Sequence, residues 1–184
     1  MAKEAFKPRK ILWVDLEMTG LDPVCDEILE IGAIVTDWNF KTLATYEGIV
    51  RHDAARLKML LDHNASFWNE NPEARRGLAS QNERGKPLGE IEQEIISFCD
   101  TWFADEAKIL LGGNSIHQDR RFIEQWWPTL SKRLHYRMLD VSAWKVVFEG
   151  KYGKKFAKPE AHRALGDIEG SIDELKYYLK KVKA

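Results

Sequence analysis

Four carboxylates and one histidine have the residue types and spacing to do chemistry: Asp15 and Glu17, Asp119, Asp167, and His162. Asp15 and Glu17 close an apolar run, Lys10 to Leu16 (KILWVDL), that reads as a buried strand. Side chains alternate along a strand, so both carboxylates leave the same face. Two acids on one face repel each other, and solvent, a bound proton or a cation must relieve them. Donors that are all carboxylate oxygens suit Mg²⁺ or Mn²⁺ rather than zinc. An isolated D-x-E pair more often marks a solvated strand end, and acids near helix N-termini, where Asp119 and Asp167 fall, are favoured by the macrodipole alone. His162 lies five positions before Asp167, just ahead of that helix. An imidazole with an ordinary pKa near ~6.5 can take a proton at neutral pH. Taken jointly, the five residues describe a two-cation centre for phosphodiester hydrolysis.

The elements that must position them follow from hydrophobic patterning. After the first strand, Thr19-Gly20 and Asp22-Pro23 break the chain. Residues 28–36 (ILEIGAIVT) and 42–50 (TLATYEGIV) read as two further strands across a short turn, antiparallel to their neighbours. Helical periodicity appears over 54–61 and 88–103, with Asn71-Pro72 and 80–87 read as loop. A fourth strand over 108–111 runs into Gly112-Gly113-Asn114, and Ser115 is the expected N-cap of a helix over 116–127 that Pro128 stops. A fifth strand is expected over 136–141, a short helix over 142–148, a basic loop over 151–159, and a helix from about 163 to 181. This order implies a mixed sheet flanked by helices.

Composition narrows the partners. The chain has 184 residues, 44% of them hydrophobic, which suits one domain with a substantial core. Its net charge is −1 and becomes a formal +3 once four carboxylates are set aside. That is far from the basic character of a protein that tracks a long nucleic acid, and implies a short substrate. Cys25 and Cys99 form no metal-binding or disulfide pattern. No apolar run approaches the ~18 residues of a membrane span, nor does the start resemble a secretory signal, so a cytoplasmic location without membrane partners is expected.

The segments WVDLEMTGLDP (13–23), GNSIHQDRRF (113–122), HYR with LDVS (135–142) and HRALGDI (162–168) occur in an order that resembles the DEDDh exonucleases, and among them the oligoribonucleases. Resemblance runs from about residue 10 to the C-terminus and is poor over 51–108. Arg163 stands where the tyrosine-type relatives carry their tyrosine, which places the chain in the histidine subclass. The resemblance implies a ribonuclease H-like α/β fold: a mixed five-stranded sheet, three strands antiparallel and two parallel, flanked by helices. It implies a single exonuclease domain over 1–184, with 1–9 a flexible tail.

It also implies roles. Asp15, Glu17, Asp119 and Asp167 would hold two divalent cations, Mg²⁺ or Mn²⁺, with His162 as general base, and 5′-nucleoside monophosphates would leave from the 3′ end. Thr19, Gly20 and Leu21 would meet the substrate, with Leu21 as an apolar wedge between two bases and Trp68 stacked on one of them. Ser115, Tyr136, Arg137 and Ser142 would cap the 5′ phosphate, partly across a homodimer, limiting the substrate to RNA of two to about five residues. The sequence departs from the family after Trp68, where Asn69 to Glu73 contain no histidine and His63 lies ahead instead. The competing readings are an exonuclease trimming longer RNA or DNA, which calls for a basic groove, and a binding module without activity, which would have lost a metal ligand.

Overall fold

The computed structural model describes residues 6–157 and 163–182. Strands β1 (Ile11–Met18), β2 (Ile28–Thr36) and β3 (Thr42–Ile49) are followed by helices α1 (Ala54–His63), α2 (Ala65–Glu70), α3 (Pro72–Gln81) and α4 (Leu88–Trp102). Then come β4 (Ile109–Gly113), α5 (His117–Trp126), α6 (Pro128–Ser131), β5 (Leu134–Asp140), α7 (Val141–Tyr152) and α8 (Ala164–Leu179). The sheet order is β3-β2-β1-β4-β5. β1, β2 and β3 pair antiparallel, while β4 joins β1 and β5 in parallel, giving the mixed five-stranded sheet expected from the sequence.

β1 explains itself residue by residue. Leu12, Val14 and Leu16 point into the larger core, with Ile91, Ile95 and Phe103 from α4 and its end and Ile116, Phe122 and Ile123 from around α5. The alternate residues Ile11 and Trp13 point into a second core beneath α8, with Ile168, Ile172 and Leu175. The same alternation carries Asp15 and Glu17 onto the α8 face. Burial of each large aliphatic side chain stabilises by roughly 1.5–3 kcal/mol, so a register slip that exposed either face would be strongly opposed.

α8 can approach β2 only because residue 32 is glycine: a Cβ there would lie 2.8 Å from the Ala164 Cβ and 2.9 Å from its carbonyl carbon. A smaller cluster of Leu29, Leu57, Leu61, Trp68 and Leu78 ties α1, α2 and α3 to β2.

Several expected elements differ. Residues 65–81 fold as α2 and α3 where no helix was expected, because Pro72 occupies the first turn of α3, where its missing N–H costs nothing, instead of ending a helix. α7 continues through Tyr152, four residues beyond the expected end. It stops at Gly153, whose φ of 60° is the left-handed turn that glycine adopts without strain. Ser115 is not a side-chain cap: it sits at φ 47° ahead of α5, whose capping position is Ile116. Within the stretch expected as a tail, the Phe6 ring stacks on His135 at 3.6 Å and the Pro8 carbonyl accepts from Trp38. Among the described residues no helix is long and apolar enough to cross a membrane.

Candidate active site

The site lies where parallel strands part. β1 pairs with β4 from Ile11 to Trp13, after which β4 ends at Gly113 and turns away. The Leu16 N–H, beyond the last β4 partner, donates to Asp119 Oδ1 at 2.8 Å. Asp119, in the first turn of α5, is thereby drawn against the end of β1 and buried. Crevices beyond the carboxyl ends of parallel strands are the usual ligand sites of open α/β sheets.

Among the described residues, Asp15, Glu17 and Asp167 offer ligand oxygens that all lie within 4.8 Å of one another. Asp15 and Glu17 come from β1, Asp167 from the first turn of α8. The charges are not at ease. Burial, reinforced by Asp15, Asp167, Glu30 and Asp119 in that order, pushes the Glu17 carboxyl up to about 8. Burial and then Asp15 raise Asp119 well above the usual carboxylate range, against the pull of the Leu16 N–H. Such a set stays protonated or takes a cation, and oxygen donors at this spacing fit hard divalent ions. The fourth predicted ligand, Asp119, lies outside that trio, buried against Leu16 and close enough to Asp15 to feel its charge. His162 lies outside the described residues.

The carboxylates open into a cavity of about 610 Å³ whose wall includes Asp15, Glu17, Asp167, Asn114, Lys145 and Lys155. The two lysines come from α7 and the segment after it, and sequence reasoning had not singled them out. Lys155 is carried on a loop whose Phe156 ring packs 5.5 Å from Tyr177 on α8. Buried Glu174, also in the wall, accepts from Asn114 Nδ2 at 3.2 Å and from the Tyr178 hydroxyl at 2.9 Å. Asn114 Oδ1 in turn accepts from the Ser142 hydroxyl at 2.9 Å. Ser142 Oγ accepts from the Ser115 N–H at 2.9 Å and lies 3.0 Å from the Ser115 hydroxyl. The two predicted cap serines are therefore together, in a chain of hydrogen bonds that reaches α8.

The turn after β1 is built differently from expectation. Thr19 is fully buried: its hydroxyl donates to Asp26 Oδ1 and accepts from the Glu27 N–H, both at 3.0 Å, so it holds the turn and its side chain is closed to a substrate. Gly20 leaves room for its neighbours: a Cβ would meet Asp26 Oδ2 at 2.4 Å and the Asn64 amide at 2.6 Å, so those side chains would have to shift. Trp68 is 1% exposed and packs in the α1–α3 cluster, its indole N–H donating to the Thr19 carbonyl at 2.9 Å. It supports the turn instead of presenting a face for stacking. Phe67 beside it is half exposed, edge-on to Trp68 at 5.0 Å. Leu21 projects with 69% exposure, its carbonyl accepting from Gln118, the neighbour of Asp119. Tyr136 (73% exposed) and Arg137 lie on the edge strand β5, the guanidinium 5.5 Å from the Tyr136 ring, and do not line the cavity of their own chain.

A family model described as an exonuclease matches residues 12–175. Oligoribonucleases of Neisseria meningitidis serogroup A and Pseudomonas aeruginosa are 38% and 37% identical over 172 and 175 residues, covering 91% and 93% of this chain and 89% and 94% of theirs. The chain belongs to the oligoribonuclease family. It is thus a DEDDh, metal-dependent 3′-to-5′ exonuclease. Its fold is also that of two solved structures, the zinc-bound E. coli ExoI–ssDNA complex (TM-score 0.65, 13% identity) and apo exonuclease I (0.63, 13%). They match 95% and 96% of this chain, which spans only 41% and 43% of theirs. The oligoribonuclease relatives extend through 51–108, where motif reading had found little.

The raised carboxyl of Glu17 makes a signed prediction. Folded metal-free protein holds a proton between pH 4.5 and about 8 that the unfolded chain has released, so its stability must fall as pH rises through that window. Thermal unfolding of the metal-free protein is expected to show a declining Tm from pH 5 to 8. Glu17→Gln should flatten that decline, and Mn²⁺ should raise the Tm most at the alkaline end. A decline as steep in Glu17→Gln as in wild type would locate the strain elsewhere.

Proposed function

We propose that the chain degrades very short RNA, dinucleotides above all, from the 3′ end to 5′-nucleoside monophosphates, as a single exonuclease domain over 1–184 acting in the cytoplasm. The observation that carries this is the cavity of about 610 Å³ into which the carboxylates open. That is the size of a small-molecule pocket, not of a track for a long polymer. Near-neutral net charge and free cysteines at 25 and 99 accord with a short substrate and a reducing compartment.

Asp15, Glu17, Asp119 and Asp167 would hold two divalent cations, Mg²⁺ or Mn²⁺. When bound, such a pair supplies an activated water and stabilises charge on the leaving 3′-oxygen. The rest belongs to the chain's own side chains. His162, one residue before the Arg163 that leads into α8, takes the proton of the attacking water on an imidazole nitrogen. Leu21, held outward by the Gly20 turn and by Gln118, inserts between the two bases and orients the scissile linkage. Gly20 lets the backbone approach, and Thr19 fixes the turn from within. Lys145 and Lys155 offset phosphate charge opposite the carboxylates.

At the 5′ end Ser115 and Ser142 present hydroxyls side by side. Arg137 and Tyr136, exposed and outside the wall of their own chain's cavity, complete the cap in the partner's site of a homodimer. A guanidinium there binds a terminal phosphate bidentately and excludes a further nucleotide. The base-stacking role read for Trp68 passes to exposed side chains such as Phe67 and Tyr136.

With Mg²⁺ and 5′-labelled RNAs of two, three and seven residues, the dinucleotide is expected to show the highest kcat/KM. A seven-residue RNA cleaved as fast would favour the trimming exonuclease instead. The dimer has its own test. Tyr136→Ala and Asp167→Ala variants, each weak or inactive alone, should regain activity when co-assembled, because the heterodimer contains one intact site. Mixed variants no more active than their sum would place Tyr136 in its own chain's site.

A further inference from the structure

An ionisable side chain that is fully buried must be met by donors, and Glu30 is 0% exposed on β2. It is the cross-strand partner of Glu17 and faces α8 two residues from Gly32, the glycine against which Ala164 packs. Glu30 Oε2 accepts from the buried Gln81 amide at the end of α3 and lies 3.2 Å from Arg163 Nη2. Oε1 accepts from the Ala164 N–H at 3.2 Å and from Arg163 Nε at 3.4 Å. Both oxygens are thus engaged by α3 and by the start of α8. Arg163 then passes the constraint on, since its own backbone N–H donates to Asp167 Oδ2 at 3.2 Å. Glu47 lies 3.7 Å from the same guanidinium but is half exposed, so screening weakens its hold.

We propose that Glu30 is a positioning residue for the catalytic centre: through Arg163 and the Ala164 N–H it clamps the first turn of α8, which fixes Asp167. This rests on the functional reading above. The carboxylate acts through Arg163, not on substrate. Glu30 is buried while the Arg163 side chain is half exposed, so the pair adds little stability, but it links β2 to the start of α8 and the Ala164 N–H reinforces that link. The arrangement also gives α3 a part in the reaction, because Gln81 holds the second Glu30 oxygen in place.

Glu30→Gln keeps an acceptor for the Ala164 N–H and removes the charge that holds Arg163. It is expected to lower kcat on an RNA dinucleotide by about 10-fold or more with little change in KM, and to weaken Mn²⁺ binding, titrated without substrate, by a similar factor. Arg163→Met should match both losses, Arg163→Lys should restore most of each, and the double variant should be no worse than either single. Leu130→Ala, a change in the opposite core, should lower the Tm and leave kcat and Mn²⁺ affinity intact. Wild-type kcat and Mn²⁺ affinity in Glu30→Gln would overturn the proposal, as would losses there with none in Arg163→Met. A wild-type protein inert toward RNA would sink the functional reading, while the Mn²⁺ titrations would still decide whether Glu30 positions Asp167.

Discussion

Repulsion among carboxylates gathered at the end of β1 is the constraint on which the rest of the structure depends. Asp15, Glu17 and Asp167 stand within 4.8 Å of one another, Asp119 adjoins them, and Glu30 lies behind. Nothing in an isolated chain would assemble such a set. It exists because apolar packing on both faces of the sheet fixes β1 and α8 wherever their buried residues demand. Each core side chain contributes on the order of 1.5–3 kcal/mol, enough in sum to hold acids that would otherwise move apart. The strain remains visible as the Glu17 carboxyl pushed up to about 8. Cation binding is the natural release of that strain, so the same packing that makes the fold also makes the site receptive to metal.

Two further consequences follow from the parting of β1 and β4. Leu16 keeps its β2 partner Ile31 but has none on β4, and its N–H is taken by Asp119, which brings α5 to the centre. Asn114 and Ser115, at the turn between β4 and α5, meet Ser142 at the start of α7, so the proposed phosphate cap is a by-product of the same divergence. The serines at the proposed cap are joined to Glu174 on α8 through Asn114. β5 lies at the sheet edge, which leaves Tyr136 and Arg137 on the surface.

Much of this was legible in the sequence because it depends on local periodicity. The period of two in KILWVDLE puts Asp15 and Glu17 on one face, and the three-and-four spacing of Ile168, Ile172 and Leu175 gives α8 one inward face, which the fold sets against that side of β1. What depends on distant partners was not legible. Thr19 and Trp68 look like substrate contacts in a motif, yet the structure turns both inward, where one braces the other. Glu30 reads as an interruption in an apolar strand, and only the meeting of β2 with α3 and α8 gives it partners 51 and 133 residues away. Lys145 and Lys155 carried no pattern at all. Ser115 failed as a cap because its N–H and hydroxyl are committed to Ser142 and Asp140, and its backbone turns left-handed to reach them. α3 stands where the Asn71-Pro72 pair suggests loop, because proline fits the first turn of a helix as readily as a loop.

The central claim, that divalent cations relieve a strain built into the carboxylate cluster, has a direct calorimetric test. Metal-free protein near pH 7 should hold a proton that the bound form cannot keep. Mn²⁺ binding measured by isothermal titration calorimetry in buffers of different ionisation enthalpy should therefore show net proton release, diminishing as the pH is raised through 8. Binding with no proton release at pH 7, or with release that does not change across that range, would contradict it.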